Sequence, residues 1–171
     1  MNIHDMLTAY QRINENRLTR PHPLFPPIYQ VVEPPEAELS SKVSTLQRGH
    51  YRKITPYLRA RFEYAGSWKE ADAGNKWLGL KQMEAALQDP SVLEQIRARP
   101  EIWTESPLVQ MPSSRISLFG LYPEQYEEIY LIWPLDDDDG SEPEILSYAG
   151  NYEYQFSNFA EYLKCLIDGE S

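Results

Sequence analysis

Apolar residues along this chain recur with two different periods, and the change between them falls near residue 112. Ile3, Met6, Leu7, Tyr10 and Ile13 stand at helical spacing with polar residues between them. The spacing predicts an amphipathic helix over residues 3–17, whose apolar stripe must dock against something. Pro21, Pro23, Pro26, Pro27, Pro34 and Pro35 follow, too dense for a helix or a central strand, so this stretch reads as an extended connector. The apolar pieces Leu24-Phe25 and Ile28 to Val32 within it favour a connector packed on the domain over a free linker, and argue against a proline-rich recognition ligand. Glu36-Ala37-Glu38-Leu39 reads as the start of a helix carrying Leu39, Val43 and Leu46 and ending at Gly49. Thr55-Pro56 is a second start, with Leu58, Phe62 and Ala65 on one face, Arg59 and Arg61 turned away from it, and Gly66 as the stop. Leu80, Met83 and Leu87 mark a third helix. Ser91 and Glu94 form a capping-box pattern for a short helix over 91–96, with Pro100 closing this half.

After Pro112 the pattern suits strands. Ile116 to Phe119, Ile129 to Trp133, Glu144 to Tyr148 and Tyr152 to Phe156 are four candidate strands, the last two joined by the tight turn Ala149-Gly150-Asn151. The chain closes with Asn158 as N-cap, Glu161 three residues on, and Phe159, Tyr162, Leu163, Leu166 and Ile167 on one helical face. Helices followed by a run of strands and a final helix predict an α+β fold with a predominantly antiparallel, curved sheet flanked by helices. The division expected is an N-terminal helix and Pro-rich arm over 1–35, packed on a domain over 36–171.

Composition narrows the function classes. The 171 residues support one sizeable core, and a net charge of -10 disfavours binding to nucleic acid or an anionic membrane surface. No apolar run approaches the ~20 residues of a spanning helix. The first residues lack the basic and apolar regions of a signal peptide, and the single Cys165 fits a reducing compartment, so the expected location is cytoplasmic. The charge is also unevenly placed. Residues 1–99 carry 14 Lys and Arg against 11 Asp and Glu, whereas residues 100–171 carry 2 against 15. Such asymmetry suits either a solubility device or a docking face for a basic partner.

Signals for catalysis are few. Asp136-Asp137-Asp138-Asp139-Gly140 resembles part of a calcium loop. Aligning Gly140 with the loop glycine puts Leu135 and Leu146 at ligand positions, so a solvated turn is the better reading. His4, His22 and His50 fall on separate segments, no G-x-S-x-G or phosphate-binding glycine motif is present, and Cys165 sits at the rim of an apolar helix face. No cofactor or metal is expected. Tyrosines are abundant instead, twelve in all, and Tyr126, Tyr148 and Tyr152 lie near the acidic residues Asp136, Asp137, Asp138, Asp139, Glu142 and Glu144 in sequence. Carboxylates and tyrosines together suit a Lys- or Arg-rich protein surface through charge pairing and cation–π contact. These nine residues are the candidate partner-binding set.

The order Ile116-Ser117-Leu118-Phe119-Gly120, Glu128 to Trp133, the acidic turn, Pro143 to Tyr148 and Phe156 to Leu163 resembles the C-terminal part of the SUKH superfamily. That group includes Smi/Knr-like bacterial immunity proteins and relatives of a fungal cell-wall-assembly regulator. The departures are Ile145 for a Val, Asn158 inserted after Ser157, Tyr162 for a Phe, and a missing Gly-Gly motif upstream. The resemblance implies a binding protein without catalytic residues, acting as monomer or homodimer, whose partner is a cognate toxin, a nuclease or deaminase for instance, or another basic protein. A regulatory scaffold is the alternative it implies.

Overall fold

The computed structural model describes residues 2–135 and 140–169. Helix α1 (Ile3–Leu18) starts where Asn2 accepts a hydrogen bond from the Asp5 amide at 2.9 Å. Its stripe of Ile3, Met6, Leu7 and Tyr10 is buried in the same core as the rest of the chain. The connector behaves differently from expectation: Leu24 and Phe25 are 79% and 67% exposed, and Ile28 and Tyr29 are also exposed. Prolines lack the amide that would pair with a neighbouring strand, so only the proline-free end does so. There Gln30 donates to Gln11 O at 2.8 Å, and strand β1 (Val31–Val32) pairs with β4 (Trp68–Asp72).

The helix expected from Glu36 is replaced by a hairpin of β2 (Lys42–Ser44) and β3 (Tyr51–Lys53). Val43 and Thr45 are β-branched, and Ser40 Oγ accepts from the Lys42 amide at 3.1 Å, a local bond that competes with helix formation. Helix α2 (Pro56–Tyr64) begins at Thr55-Pro56 and ends before Gly66, as the capping signals predict. Its Arg61 corrects the sequence reading. Positions 58, 61, 62 and 65 share one helical face, so Arg61 is carried inward with its apolar neighbours and is fully buried.

Strand β5 (Asn75–Trp77), helix α3 (Leu80–Ala86) and helix α4 (Pro90–Ile102) follow. The last is longer than the pattern predicts: Asp89 is its N-cap, Ser91 donates its hydroxyl to Asp89 at 2.7 Å, and Pro100 lies inside the final turn. Gly66 and Gly79 allow three backbone segments to stack. A Cβ on Gly66 would lie 2.4 Å from Pro34 O, and one on Gly79 would lie 2.4 Å from Gly66 O.

The four strands read after Pro112 are β6 (Ile116–Tyr122), β7 (Glu127–Ile132), β8 (Glu144–Ala149) and β9 (Tyr152–Phe156), followed by α5 (Phe159–Asp168). All seven strands of the main sheet are antiparallel, in the order β1-β4-β5-β6-β7-β8-β9. The protein is therefore α+β. Helices α1 and α5 cover one face through Tyr10, Trp77, Phe119, Phe159 and Tyr162, whose rings pack at centroid distances of 5.6–5.8 Å. Helix α4 and the segment after it cover the other face, where Trp103 meets Tyr148. Asp72 on β4 and Ser147 on β8 line one cavity, although a flat sheet would set these strands about 19 Å apart, so the sheet curls around α5. Among the described residues no helix is long and apolar enough to cross a membrane.

Candidate functional site

The antiparallel order separates the two ends of the sheet. The β4–β5, β6–β7 and β8–β9 turns share one end, whereas the 133–143 connection leaves the other. Along β7 the ends are about 17 Å apart. The nine residues that sequence proximity suggested as one surface are thereby divided. Tyr126 and Tyr152 stand at the turn end, 64% and 66% exposed. Glu142 and Glu144 belong to the opposite end, and Asp136, Asp137, Asp138 and Asp139 lie outside the described residues. Tyr148 is fully buried, so it supplies no contact surface to a partner.

Glu142 and Glu144 have roles within the fold. Thr55 makes no capping bond with its own side chain to the start of α2. Glu142 supplies the acceptor instead: Thr55 Oγ1 donates to it at 2.5 Å and the Tyr57 amide at 2.7 Å. Burial raises its pKa, and these two bonds oppose the rise. Glu144 accepts from Gln155 Nε2 at 2.5 Å. Among the described residues no group of three His, Cys, Asp or Glu side chains is arranged to hold a metal ion.

At the turn end a different set converges. Asp72 from β4, Glu124 from the β6–β7 turn, Glu127 from β7 and Glu153 from β9 share this end of the sheet with the tyrosines at positions 122, 126, 152 and 154, but on both of its faces: Asp72 turns toward α5 and Glu153 toward Tyr148 on the α4 side. The spacing along the chain hides this, because more than fifty residues separate Asp72 from Glu124 and only strand pairing joins them. Glu127 ties two turns together, accepting from Gly150 N at 2.8 Å and from Asn75 Nδ2 at 3.4 Å.

On the α4 side a buried polar network holds Tyr126 and Glu153 in place. Arg99 of α4 meets Glu128 of β7 at 2.8 Å, and Gln95 donates to the other carboxylate oxygen at 2.6 Å. The same guanidinium donates to Tyr126 O and lies 4.5 Å from the Tyr148 ring centroid. Tyr126 has φ 54°, a left-handed conformation that a non-glycine residue adopts only when its surroundings impose it; here the Arg99 bond holds its carbonyl inward and leaves its ring in solvent. Tyr148 donates to Glu153 at 2.7 Å and is hydrogen-bonded to Ser106. The exposed groups thus stand on a rigid support.

Beside this cluster lies a half-open cavity of about 230 Å³, lined by Asp72, Ala73, Ser147, Ala149, Tyr154 and Phe156, with two α5 side chains closing it. Tyr162 donates its hydroxyl to Asp72 Oδ2 at 2.5 Å. Glu70 and Ala73, on either side of Asp72, have φ of 56° and 46°, and the register of β4 shifts between Trp68 and Asp72. The bulge turns the carboxylate toward α5. Burial raises the Asp72 pKa, while Tyr162 and Arg17 oppose the rise and Glu127 adds to it. A carboxyl that holds its proton more tightly when folded contributes stability below the unfolded value of 3.8, and loses it as pH rises through the folded value. Asp72→Asn is therefore expected to raise Tm at pH 7.5 by about 2–4 °C and to leave it nearly unchanged at pH 4; a thermal melt at both values checks this.

Comparison with protein families, curated proteins and solved structures found no match to this chain.

Proposed function

We propose that this chain is a non-enzymatic binding protein that docks a basic polypeptide on the turn end of its sheet. The placement of Asp72, Glu124, Glu127 and Glu153 at the same end of the sheet as the exposed Tyr126 and Tyr152 carries this reading. Carboxylates steer a cationic surface into encounter, and tyrosine rings give contact area at small conformational cost once it arrives. The buried network that holds Tyr126 and Glu153 means that little ordering free energy is spent on binding. In the fuller form suggested by the SUKH-like ending, the partner is a cognate toxin whose nucleic-acid-binding or catalytic surface is basic, and the protein acts as its immunity factor in the cytoplasm.

The test is capture of the adjacent gene's product, followed by association kinetics as a function of salt. Raising ionic strength from 50 to 500 mM is expected to slow association by about tenfold or more. Glu124→Lys is expected to slow association several-fold at low salt, while Glu144→Lys at the far end has little effect. Salt-independent association, or an equal effect from the far-end variant, would overturn the assignment of this surface.

A further inference from the structure

We propose that the cavity beside Asp72 is a receptor for a single primary ammonium group, the end of a lysine side chain projecting from the docked partner. The inference rests on the proposed docking surface, and it adds the chemical group that is read there.

Three observations select this ligand. First, among the described residues only Tyr162 gives the Asp72 carboxylate a side-chain hydrogen bond, and it binds Oδ2, leaving Oδ1 to accept from a ligand. A guanidinium binds carboxylates best by engaging both oxygens in parallel, a geometry the Tyr162 hydroxyl obstructs; an ammonium needs only one. Second, Ser147 lines the same cavity, and its hydroxyl makes no hydrogen bond among the described residues, so it can serve as a second acceptor. Third, Tyr154, Phe156 and Tyr162 supply aromatic lining suited to an alkyl stem and a cationic head.

The chain's own cation near this place does not fill the role. Arg17 donates to Leu166 O at 3.2 Å, capping the end of α5, and forms no ion pair with Asp72 within 4.0 Å. Its charge still acts on Asp72, as does the opposing charge of Glu127. The cavity of about 230 Å³ accommodates a four-carbon stem with its ammonium and excludes a folded polypeptide segment. Its polar end is thus matched to one charge, and its walls to a short unbranched chain.

The experiment is titration of the full chain with n-butylammonium, followed by backbone amide shifts in NMR, with n-butanol and n-propylguanidinium as comparison probes. Saturable shifts centred on Asp72, Ser147 and Tyr154 are expected, with Kd of about 1 mM. Butanol and propylguanidinium are expected to bind at least about tenfold more weakly. Asp72→Asn, which keeps an acceptor for Tyr162, is expected to weaken butylammonium by about tenfold or more while its unperturbed spectrum elsewhere reports an intact fold. If that variant does not fold, lowering the pH of the wild-type chain until Asp72 is protonated must abolish the shifts. Equal binding of butanol, shifts that persist without the Asp72 charge, or no saturation would each overturn the inference. The titration contains no polypeptide, so its failure leaves surface docking of a basic chain standing, and failure of salt-dependent docking leaves the titration result standing.

Discussion

Arg99→Ala is expected to destabilise the protein by about 3–5 kcal/mol, because it strands a carboxylate that no water can reach. Glu128 is fully buried, and its charge is held by Arg99 at 2.8 Å and by Gln95 at 2.6 Å. Removing the guanidinium takes away both the counter-charge and the donor to Tyr126 O, so the left-handed turn at Tyr126 also loosens. The pH dependence identifies the cause. Burial already raises the Glu128 pKa above its ordinary value of 4.5, with Arg99 acting against that rise. Without Arg99 the folded value climbs further. The native state then binds a proton more tightly than the unfolded state over a wider window, and stability is lost as pH rises through it. The variant is expected to lie closer to wild type at pH 5 than at pH 8 in urea unfolding. Adding Glu128→Gln should recover part of the loss at pH 8, because the stranded charge is gone. A cost under about 1 kcal/mol, or a penalty that does not change with pH, would show that the pair is dispensable.

Arg61→Ala is the second large effect, again about 3–5 kcal/mol, through loss of packed volume and of two side-chain donors to backbone carbonyls. The guanidinium is fully buried, and no carboxylate among the described residues pairs with it. It donates to Ala65 O at 2.6 Å and Leu78 O at 3.4 Å, and lies 5.1 Å from the Phe62 ring and 5.6 Å from those of Trp77 and Phe119. Burial pushes its pKa down to about 9, which still leaves it charged at neutral pH. The aromatic faces replace part of the lost hydration, and carbonyls at the end of α2 and before α3 accept from the two terminal nitrogens, while Nε has no hydrogen-bond partner among the described residues. Arg61→Met removes the charge and keeps most of the volume, so it should cost clearly less than alanine. Arg61→Lys is expected to be worse than methionine, since a compact ammonium is more strongly hydrated and cannot spread across three rings. Chemical denaturation of the three variants orders them; lysine retaining full stability would refute the cage as the reason for arginine at this place.

Both residues show where sequence reading reaches its limit. The helices α1, α2 and α5 and the strands β6 to β9 were legible because each carries a strong local period and its own capping or turn residues. Arg61 departs from expectation because its place on the 58, 61, 62, 65 face carries it inward despite its charge. The hairpin β2–β3 was misread because Glu36 and Leu39 suggested a helix while the hydroxyl-bearing residues that follow favour local side-chain bonds. Strands β4 and β5 gave little signal: one carries a bulge at Glu70 and the other is three residues long.

The site was legible only in its chemistry. An acidic, tyrosine-rich C-terminal third is plain in the sequence. Its arrangement is not, because residues near one another along the strands and connections can lie at opposite ends of a sheet. Glu142 and Glu144 were placed with Tyr126 and Tyr152 on sequence proximity, yet the strands carry them apart, and Glu142 is spent on capping α2. Conversely, nothing in the sequence marks Asp72, since a lone aspartate in a short strand looks like any solvated residue.

By itself, then, the amino-acid sequence determined the α+β class, the amphipathic helices, the antiparallel C-terminal strands and the sign of the surface charge. Each of these follows from local periodicity or from composition, which neighbouring residues record directly. Only the tertiary structure decided which acids stand together, that Tyr148 is core, that Arg61 and Arg99 are buried, and that Asp72 faces Ser147 across a cavity. Those facts depend on strand order, a bulge and the curl of the sheet, which are set by contacts between residues far apart in the chain and leave no periodic trace within it.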